Sequence, residues 1–291
     1  MKLKPAFILA LFGLASLFAG CASVAQRLAL PGPFFKPPQS IVPPSPRYEL
    51  VPLRTKDGTK IVAQFGAALD AKGAPLATPE RRPTVLFFYG NRMCIAGSQD
   101  IFEDFRRMGV NVFIPDYPGY AMSGGSPSEQ GCYAAADAAY GYLMSRADID
   151  RRQIVAAGMS IGSGPAVDLA SRERVAGLIL IVPLLSTRAV GCDDLPWYLR
   201  WAVPLLAPYA AFDNLAKIPR VSCPILFVQA SRDQLTSARR SDELAAAVTA
   251  KMVRVVVDAE HDGAPKMGRK EIENWLQANL GLNSSPATDG K

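Results

Sequence analysis

Apolar and polar residues alternate in blocks along the chain, and the blocks predict strands separated by helices. The run Thr84–Tyr89 is apolar almost throughout, as expected of a strand buried on both faces, and Gly177–Val182 has the same character. Lys56-Asp57-Gly58 is a turn signal that joins the first two strands into a hairpin. The predicted strands are Tyr48–Thr55, Lys60–Gly66, Thr84–Tyr89, Val110–Pro115, Gln153–Ala157, Gly177–Val182, Pro224–Gln229 and Met252–Val257.

Helical periodicity occupies the segments between these strands. One helix is predicted to begin at Ser126, with Pro127 in its first turn and Glu129 three residues after the serine, and to run to about Arg146. The other predicted helices are Ser98–Met108, Ile161–Arg172, Ser237–Ala250 and Gly263–Leu280. Such alternation predicts an α/β fold: a mostly parallel sheet with helices on both faces. Functional sites in such sheets lie at the carboxyl ends of the strands.

The first residues of the chain are predicted to form a targeting signal. Lys2 and Lys4 precede the apolar stretch Ala6–Ala19, and Leu17–Cys21 resembles the lipobox of bacterial lipoproteins. We therefore expect residues 1–20 to be a signal peptide and Cys21 to be lipidated, which would hold the protein at a membrane surface. Ala22 after the cysteine favours the outer membrane, facing the periplasm. A membrane-spanning anchor is the alternative.

The remaining chain divides by composition. Residues 21–47 form a predicted linker, because residues 31–46 include seven prolines that favour an extended spacer. Residues 48–281 form the predicted globular domain, and 282–291 a flexible tail. Residues 186–220 break the strand–helix pattern and predict a small cap. Its aromatic residues either line a binding pocket or pack on the sheet.

Composition and charge exclude several functions. The formal net charge is +6, but the basic residues are scattered in pairs and form no block interleaved with aromatics, which argues against nucleic-acid binding. The chain has one histidine, His261, so a histidine-rich metal site is excluded, and we expect no cofactor. Any acid–base chemistry by imidazole must use this residue.

Three polar residues each follow a predicted strand. Ser160 lies in Gly158-Met159-Ser160-Ile161-Gly162, between a strand and a helix, which is the context of a nucleophile elbow. Asp233 follows one later strand, and His261 follows the last. The order Ser, Asp, His is that of the α/β-hydrolases. Each residue also has an ordinary interpretation: Ser160 as a turn residue, His261 as a helix-entry residue, and Asp233 as a cap, with Asp258 or Asp262 as substitutes.

The globular part resembles the α/β-hydrolases, and most of all the compact branch that includes acyl-protein depalmitoylating serine hydrolases. The matching stretches are Phe88–Asn91, Asp116–Tyr120, Gly158–Gly162, Ser231–Asp233 and Glu260–Asp262. The resemblance implies an eight-stranded sheet. It also implies an oxyanion hole from the backbone N–H groups of Asn91 and Ile161, although Tyr89-Gly90 stands where this superfamily usually has His-Gly. The neighbouring Arg92 either binds an acidic substrate group or is solvated.

The predicted function is hydrolysis of a carboxylic ester or thioester through an acyl-enzyme on Ser160, with His261 as base and Asp233 as its orienting partner. The substrate is a small-molecule or acylated ester, and the oligomeric state stays open. A non-catalytic membrane-anchored adaptor of the same fold and a serine peptidase are the alternatives.

Four cysteines besides Cys21 remain: Cys94, Cys132, Cys192 and Cys223. Export to an oxidising compartment permits disulfides, and the fold places Cys94 and Cys132 near neighbouring loops. We therefore expect a Cys94–Cys132 disulfide, with four free thiols as the alternative.

Overall fold

The structure is a computed structural model that describes residues 45–70, 72–76, 82–193, 198, 201 and 212–281. The predicted signal peptide 1–20, Cys21, almost all of the linker 21–47 and the tail 282–291 lie outside the described residues. So do residues 194–197, 199–200 and 202–211 of the predicted cap. These predictions therefore stay predictions. Within the described part of the chain, no helix combines the length and the apolar character that crossing a membrane requires.

Eight strands form one sheet in the order β1-β2-β4-β3-β5-β6-β7-β8. Strand β2 pairs antiparallel with both β1 and β4, and all other neighbouring strands pair parallel. The predicted α/β architecture with an eight-stranded, mostly parallel sheet is confirmed. The strands are β1 Glu49–Arg54, β2 Lys60–Gly66, β3 Thr84–Phe88, β4 Asn111–Pro115, β5 Ile154–Met159, β6 Gly177–Ile181, β7 Ile225–Ala230 and β8 Met252–Val257.

Helices follow the strands and cover the sheet. The α-helices of the described residues are α1 Gln99–Arg107, α2 Glu129–Ser145, α3 Ser163–Arg172, α4 Thr187–Asp193, α5 Asn214–Lys217, α6 Ala238–Ala246, α7 Ala264–Met267 and α8 Arg269–Leu280. Every residue of β3, β4, β5 and β6 is buried, because helices cover both faces of these central strands. The edge strand β8 is partly exposed.

Most predicted helix boundaries lie one or two residues from the observed ones, and three differences are larger. Ser128 caps α2 in place of Ser126: its hydroxyl accepts the N–H of Gly131 at 2.9 Å, and Pro127 lies before the helix against Gly119. Helix α6 ends at Ala246, before the β-branched Val248 and Thr249, and the Thr249 hydroxyl donates to the carbonyl of Pro219 instead.

The third difference is a break in the closing helix. It divides at Gly268 into α7 and α8, and a β-carbon at this glycine would lie 2.9 Å from Val228 Cγ1. The predicted end at Gly281 is confirmed, with a left-handed φ of 62°.

Candidate active site

Ser160 lies at the end of β5 in a backbone conformation that non-glycine residues rarely adopt. Strand β5 continues through Met159, two residues beyond the predicted end, and Ser160 follows it directly with φ 53°. A non-glycine residue in this region costs on the order of 1–3 kcal/mol, which the surrounding structure must offset. A single-turn helix, Ser160–Gly162, then leads into α3. This sharp strand-to-helix turn is the geometry of a nucleophile elbow.

The two glycines of the motif are required by close backbone contacts. A β-carbon at Gly158 would lie 2.3 Å from the carbonyl oxygen of Gly162, and one at Gly162 would lie 2.1 Å from that of Phe88. Both distances are far below van der Waals contact. The backbone of the elbow therefore packs closely at Gly158 against Gly162, and at Gly162 against the end of β3. Neither glycine has room for a side chain.

His261 and Asp233 are joined by a hydrogen bond between loops that follow neighbouring strands. His261 Nδ1 lies 2.7 Å from Asp233 Oδ2. Both side chains are buried, with 8% and 1% of their surfaces exposed. Asp233 follows β7 and His261 follows β8, which pair in parallel. Asp258, one of the two substitutes considered from the sequence, has an exposed side chain paired with Arg232.

Asp233 is held as a carboxylate by several donors. The backbone N–H groups of Leu235 and Thr236 each donate to Oδ1 at 2.8 Å, and the Thr236 hydroxyl donates to Oδ2 at 2.7 Å. Burial alone would raise the pKa of Asp233, but the hydrogen bonds from His261 and Thr236 outweigh burial and lower it. An ionised Asp233 favours the imidazole tautomer with its proton on Nδ1, which leaves Nε2 as an acceptor.

Ser160 shares the carboxyl edge of the sheet with this pair. Strands β5, β6, β7 and β8 are parallel neighbours, so the loops bearing Ser160, Asp233 and His261 emerge on the same side. Among the described residues, no hydrogen bond joins the Ser160 hydroxyl to His261. Catalytic hydrogen bonds are often long without substrate and tighten when it binds.

The loop after β3 lies against Ser160. A β-carbon at Gly90 would be 3.6 Å from Ser160 Cβ, so this loop borders the elbow as an oxyanion loop must. Asn91 is exposed, and its side-chain oxygen accepts the N–H of Arg92 at 3.0 Å. Arg92 is also exposed and has a left-handed φ of 62°. The donor roles of Asn91 and Ile161, and the binding role of Arg92, stay predictions.

The buried carboxylate of Asp116 holds the loop after β3 by hydrogen bonds. Asp116 Oδ1 accepts the N–H of Ile95 at 2.9 Å and the hydroxyl of Tyr89 at 3.1 Å, and the residue is fully buried. Burial raises the pKa of Asp116 to about 6 against the opposing effect of these hydrogen bonds. The side chain therefore orders the loop after β3 through its bonds to Ile95 and Tyr89.

Curated relatives match about half of the chain. The α/β hydrolase domain-containing protein aho-3 of Caenorhabditis elegans is 35% identical over 158 residues, which cover 54% of this chain and 45% of that protein. The α/β hydrolase domain-containing protein 17B of Xenopus tropicalis is 31% identical over 183 residues, 62% of this chain and 58% of that protein. The matches thus span about half the length of these relatives. No protein-family model matches the chain.

Solved structures match most of the chain. An esterase of Pyrococcus furiosus superposes with a TM-score of 0.68 over 84% of this chain and 98% of its own, at 17% identity. An acetyl xylan esterase from Paenibacillus superposes with a TM-score of 0.61 over 82% of this chain and 87% of its own, at 18% identity. The chain has the α/β-hydrolase fold.

Within the α/β-hydrolase fold, Tyr89 departs from the usual His-Gly start of the oxyanion loop. The Tyr117 hydroxyl donates to the Tyr89 carbonyl at 2.9 Å, and the Tyr117 N–H donates to the Tyr89 hydroxyl at 3.1 Å. The hydrogen bonds among Tyr89, Tyr117 and Asp116 together hold the loop after β3 in place. Sequence reasoning missed the role of Tyr89, because a tyrosine that ends an apolar strand reads as an ordinary core residue.

The cysteines of this α/β-hydrolase fold do not pair as expected. Cys94 and Cys132 are both buried free thiols, so the expected disulfide between them is wrong. The Cys132 thiol lies close enough to Tyr117 and Tyr120 to raise the pKa of both hydroxyls, after the larger effect of burial. Cys223 is also a free thiol, and the side chain of Cys192 lies outside the described residues. In the described ranges, no group of three or more His, Cys, Asp or Glu residues could hold a metal ion.

Proposed function

We propose that the chain is a serine hydrolase that cleaves carboxylic ester or thioester bonds through an acyl-enzyme on Ser160. The observation that carries the proposal is the 2.7 Å hydrogen bond between His261 and Asp233, at the sheet edge where the strained elbow presents Ser160. The α/β-hydrolase fold and the esterase names of two structural neighbours support a hydrolase. Both neighbours are too distant in sequence to define the substrate.

Acylation would give each of the three side chains a distinct role. Ser160 Oγ attacks the carbonyl carbon while His261 Nε2 accepts its proton. Asp233 keeps the other imidazole proton on Nδ1 and stabilises the imidazolium that forms. The tetrahedral oxyanion is stabilised by the N–H groups of Asn91 and Ile161, each worth on the order of 3 kcal/mol in comparable sites. His261 then donates its proton to the leaving alcohol or thiol, which departs and leaves the acyl group on Ser160.

Deacylation would repeat these roles with water as the nucleophile. His261 removes a proton from water, the hydroxide attacks the acyl carbonyl, and the proton returns to Ser160 Oγ as the carboxylic acid departs. The products are one acid and one alcohol or thiol. Every proton transfer passes through the one imidazole of the chain.

For the substrate class, we propose acyl groups in ester or thioester linkage, including long-chain acyl groups on protein. The proposal rests on the resemblance of the site motifs to acyl-protein depalmitoylating hydrolases; the names of the α/β hydrolase domain-containing relatives support a hydrolase. The predicted lipobox at Cys21 supports a location at the cell envelope, anchored by lipid in the outer membrane and facing the periplasm. A surface-held enzyme would meet acylated substrates at the same membrane.

An active-site-directed fluorophosphonate probe tests the catalytic assignment. The purified protein should be labelled, and Ser160→Ala should abolish labelling. Ser171→Ala is a matched control, because Ser171 also lies in the elbow–α3 region but its hydroxyl bonds within the helix, to the carbonyl of Asp168. Labelling that persists in Ser160→Ala would exclude Ser160 as the nucleophile. Absence of labelling in the folded wild type would favour the adaptor.

Substrate preference is tested by comparing p-nitrophenyl esters of increasing chain length with acyl thioesters and aminoacyl amides. The proposal expects turnover of the esters and thioesters at rates far above that of the amides. Amide turnover at the faster rate would favour the peptidase alternative.

A further inference from the structure

We propose that Ser163 and Asn214 are positioning residues that orient the peptide bond between Ser160 and Ile161 and thereby aim the Ile161 N–H into the oxyanion hole. The inference rests on the proposed function, since it takes Ser160 as the nucleophile. Neither residue belongs to the Gly-x-Ser-x-Gly motif. Asn214 lies 51 residues beyond Ser163 in the chain, at the start of α5.

The first contact joins Ser163 to the elbow. The Ser163 hydroxyl donates to the carbonyl oxygen of Ser160 at 2.6 Å. That oxygen and the N–H of Ile161 belong to one planar peptide unit and point in opposite directions. A hydrogen bond that fixes the carbonyl therefore also fixes the direction of the N–H. An oxyanion donor is effective only when it is aimed in advance at the position where charge develops.

The second set of contacts fixes the Ser163 hydroxyl itself. Its oxygen accepts the side-chain Nδ2 of Asn214 at 2.9 Å and the N–H of Leu184 at 3.2 Å. A serine hydroxyl has one donor and two acceptor positions, so all three are used. Both Ser163 and Asn214 are fully buried. The hydroxyl consequently cannot rotate away from Ser160 without leaving buried donors unpaired, which is costly.

Asn214 is in turn held by the backbone after β6. Its Nδ2 also donates to the Leu184 carbonyl at 2.7 Å, and its backbone N–H donates to the Leu185 carbonyl at 3.0 Å. These hydrogen bonds join the elbow to two neighbouring segments: the loop after β6 and the start of α5. These segments flank residues 186–213, which include most of the predicted cap.

A serine in a helix often bonds to a carbonyl of its own backbone, and Ser171 does so near the other end of α3. The Ser171 hydroxyl donates to the carbonyl three residues earlier at 2.8 Å, just as Ser163 does. Ser171 is only partly buried, and the described residues give it no second side-chain partner. The difference lies in the two buried donors that converge on Ser163, which make it a junction between three segments.

The experiment compares Ser163→Ala and Asn214→Ala with two controls on α3. Ser171→Ala removes a hydroxyl with the same local bond, and Val167→Ala removes buried methyl groups and lowers stability without touching the junction. Melting temperatures are measured first, and kinetics are then run well below the lowest of them. With p-nitrophenyl esters, Ser163→Ala should lower kcat about tenfold to a hundredfold with little change in KM, because the donor acts in the transition state.

Hydrogen exchange of the amides in residues 158–164 gives a readout that does not depend on hydrolysis. Exchange should stay at the wild-type rate in Ser171→Ala. In Ser163→Ala and Asn214→Ala it should accelerate by more than the increase that Val167→Ala produces through its lower stability. If these amides exchange faster while the wild type shows no Ser160-dependent activity, the positioning stands and the proposed function fails. Unchanged exchange in Ser163→Ala, or a loss of kcat no greater than in Val167→Ala, would overturn the positioning role.

The double variant separates the two residues. Because Asn214 acts through the Ser163 hydroxyl, the double variant should have a kcat no lower than that of Ser163→Ala alone. Additive losses would show that Asn214 acts by another route and would overturn its assignment.

Discussion

The imidazole of His261 and the carboxylate of Asp233 are joined by a 2.7 Å hydrogen bond between loops that follow two paired parallel strands. The pairing of β7 with β8 therefore sets the separation of the two loops, and burial of both side chains keeps water from competing for the bond. The orientation of the imidazole is thus a consequence of the sheet.

Asp233→Asn should lower kcat strongly with little effect on folding. An asparagine can keep the shape of the site but does not hold the imidazole proton on Nδ1, so Nε2 loses its role as acceptor; we expect a loss of up to about 10⁴-fold. Steady-state ester hydrolysis measures it. Asp258→Asn is the matched control, because Asp258 precedes His261 by three residues and is exposed. Retention of near wild-type kcat by Asp233→Asn would remove Asp233 from the mechanism.

His261→Ala should abolish hydrolysis and slow labelling of Ser160 by a fluorophosphonate. The chain has no second histidine to replace it, so no rescue by a neighbouring imidazole is available. Imidazole added to the solution of His261→Ala should restore part of the hydrolysis rate if the lost side chain is a base. A variant that keeps most of its activity without added imidazole would show that His261 is not the base.

Gly162→Ala should destabilise the protein and disable the elbow. Its new methyl group would meet the Phe88 carbonyl oxygen at 2.1 Å, so β3 and the elbow must separate. Overpacking of a rigid site costs about 1–3 kcal/mol or more. Urea unfolding measures the loss.

Gly141→Ala is the control for that substitution. Gly141 lies inside α2, and a β-carbon there meets nothing within 4 Å. Removing a helical glycine should raise the free energy of unfolding by about 0.5–1 kcal/mol. Equal stability changes in the two alanine variants would contradict the steric argument at Gly162.

Asp116→Asn should change how stability depends on pH. Burial raises the pKa of Asp116 to about 6, so the folded state holds this proton more tightly than the unfolded state does. The resulting stabilisation is present below about pH 4 and is lost as the pH rises through about 6. Asparagine carries no such proton, and its Oδ1 can still accept from Ile95 and Tyr89.

The measurement is urea unfolding of both proteins across this pH range. Relative to the wild type, Asp116→Asn should gain about 2–3 kcal/mol between pH 4 and pH 7. A difference between the two proteins that stays constant with pH would show that Asp116 is not a buried titrating carboxyl.

Much of the sheet could be predicted because its signals are local. Strands β2 and β8 begin and end at the predicted residues, and the others differ by one or two positions. Continuous apolar runs indicate strands that are buried on both faces, and Asp57-Gly58 indicates a turn. The sequence could also place Ser160, Asp233 and His261 at one edge, because parallel strands share their carboxyl ends.

Contacts between distant segments could not be predicted in the same way. Gly268, where the closing helix breaks, lies against Val228 of β7, and the loop after β3 is held by Tyr117 and Asp116. The free state of Cys94 and Cys132 depends on side-chain packing that spacing does not encode. The same is true of Asn214 and Ser163, whose residue types are common in any loop or helix.

The solitary histidine has a practical consequence for spectroscopy. One imidazole gives one set of ring resonances, so its nuclear magnetic resonance signals need no assignment by mutagenesis. Its Nδ1 faces the buried carboxylate of Asp233 at 2.7 Å, where solvent has little access. Ligands, inhibitors and acylation could each be followed through this intrinsic probe, without labelling any other residue.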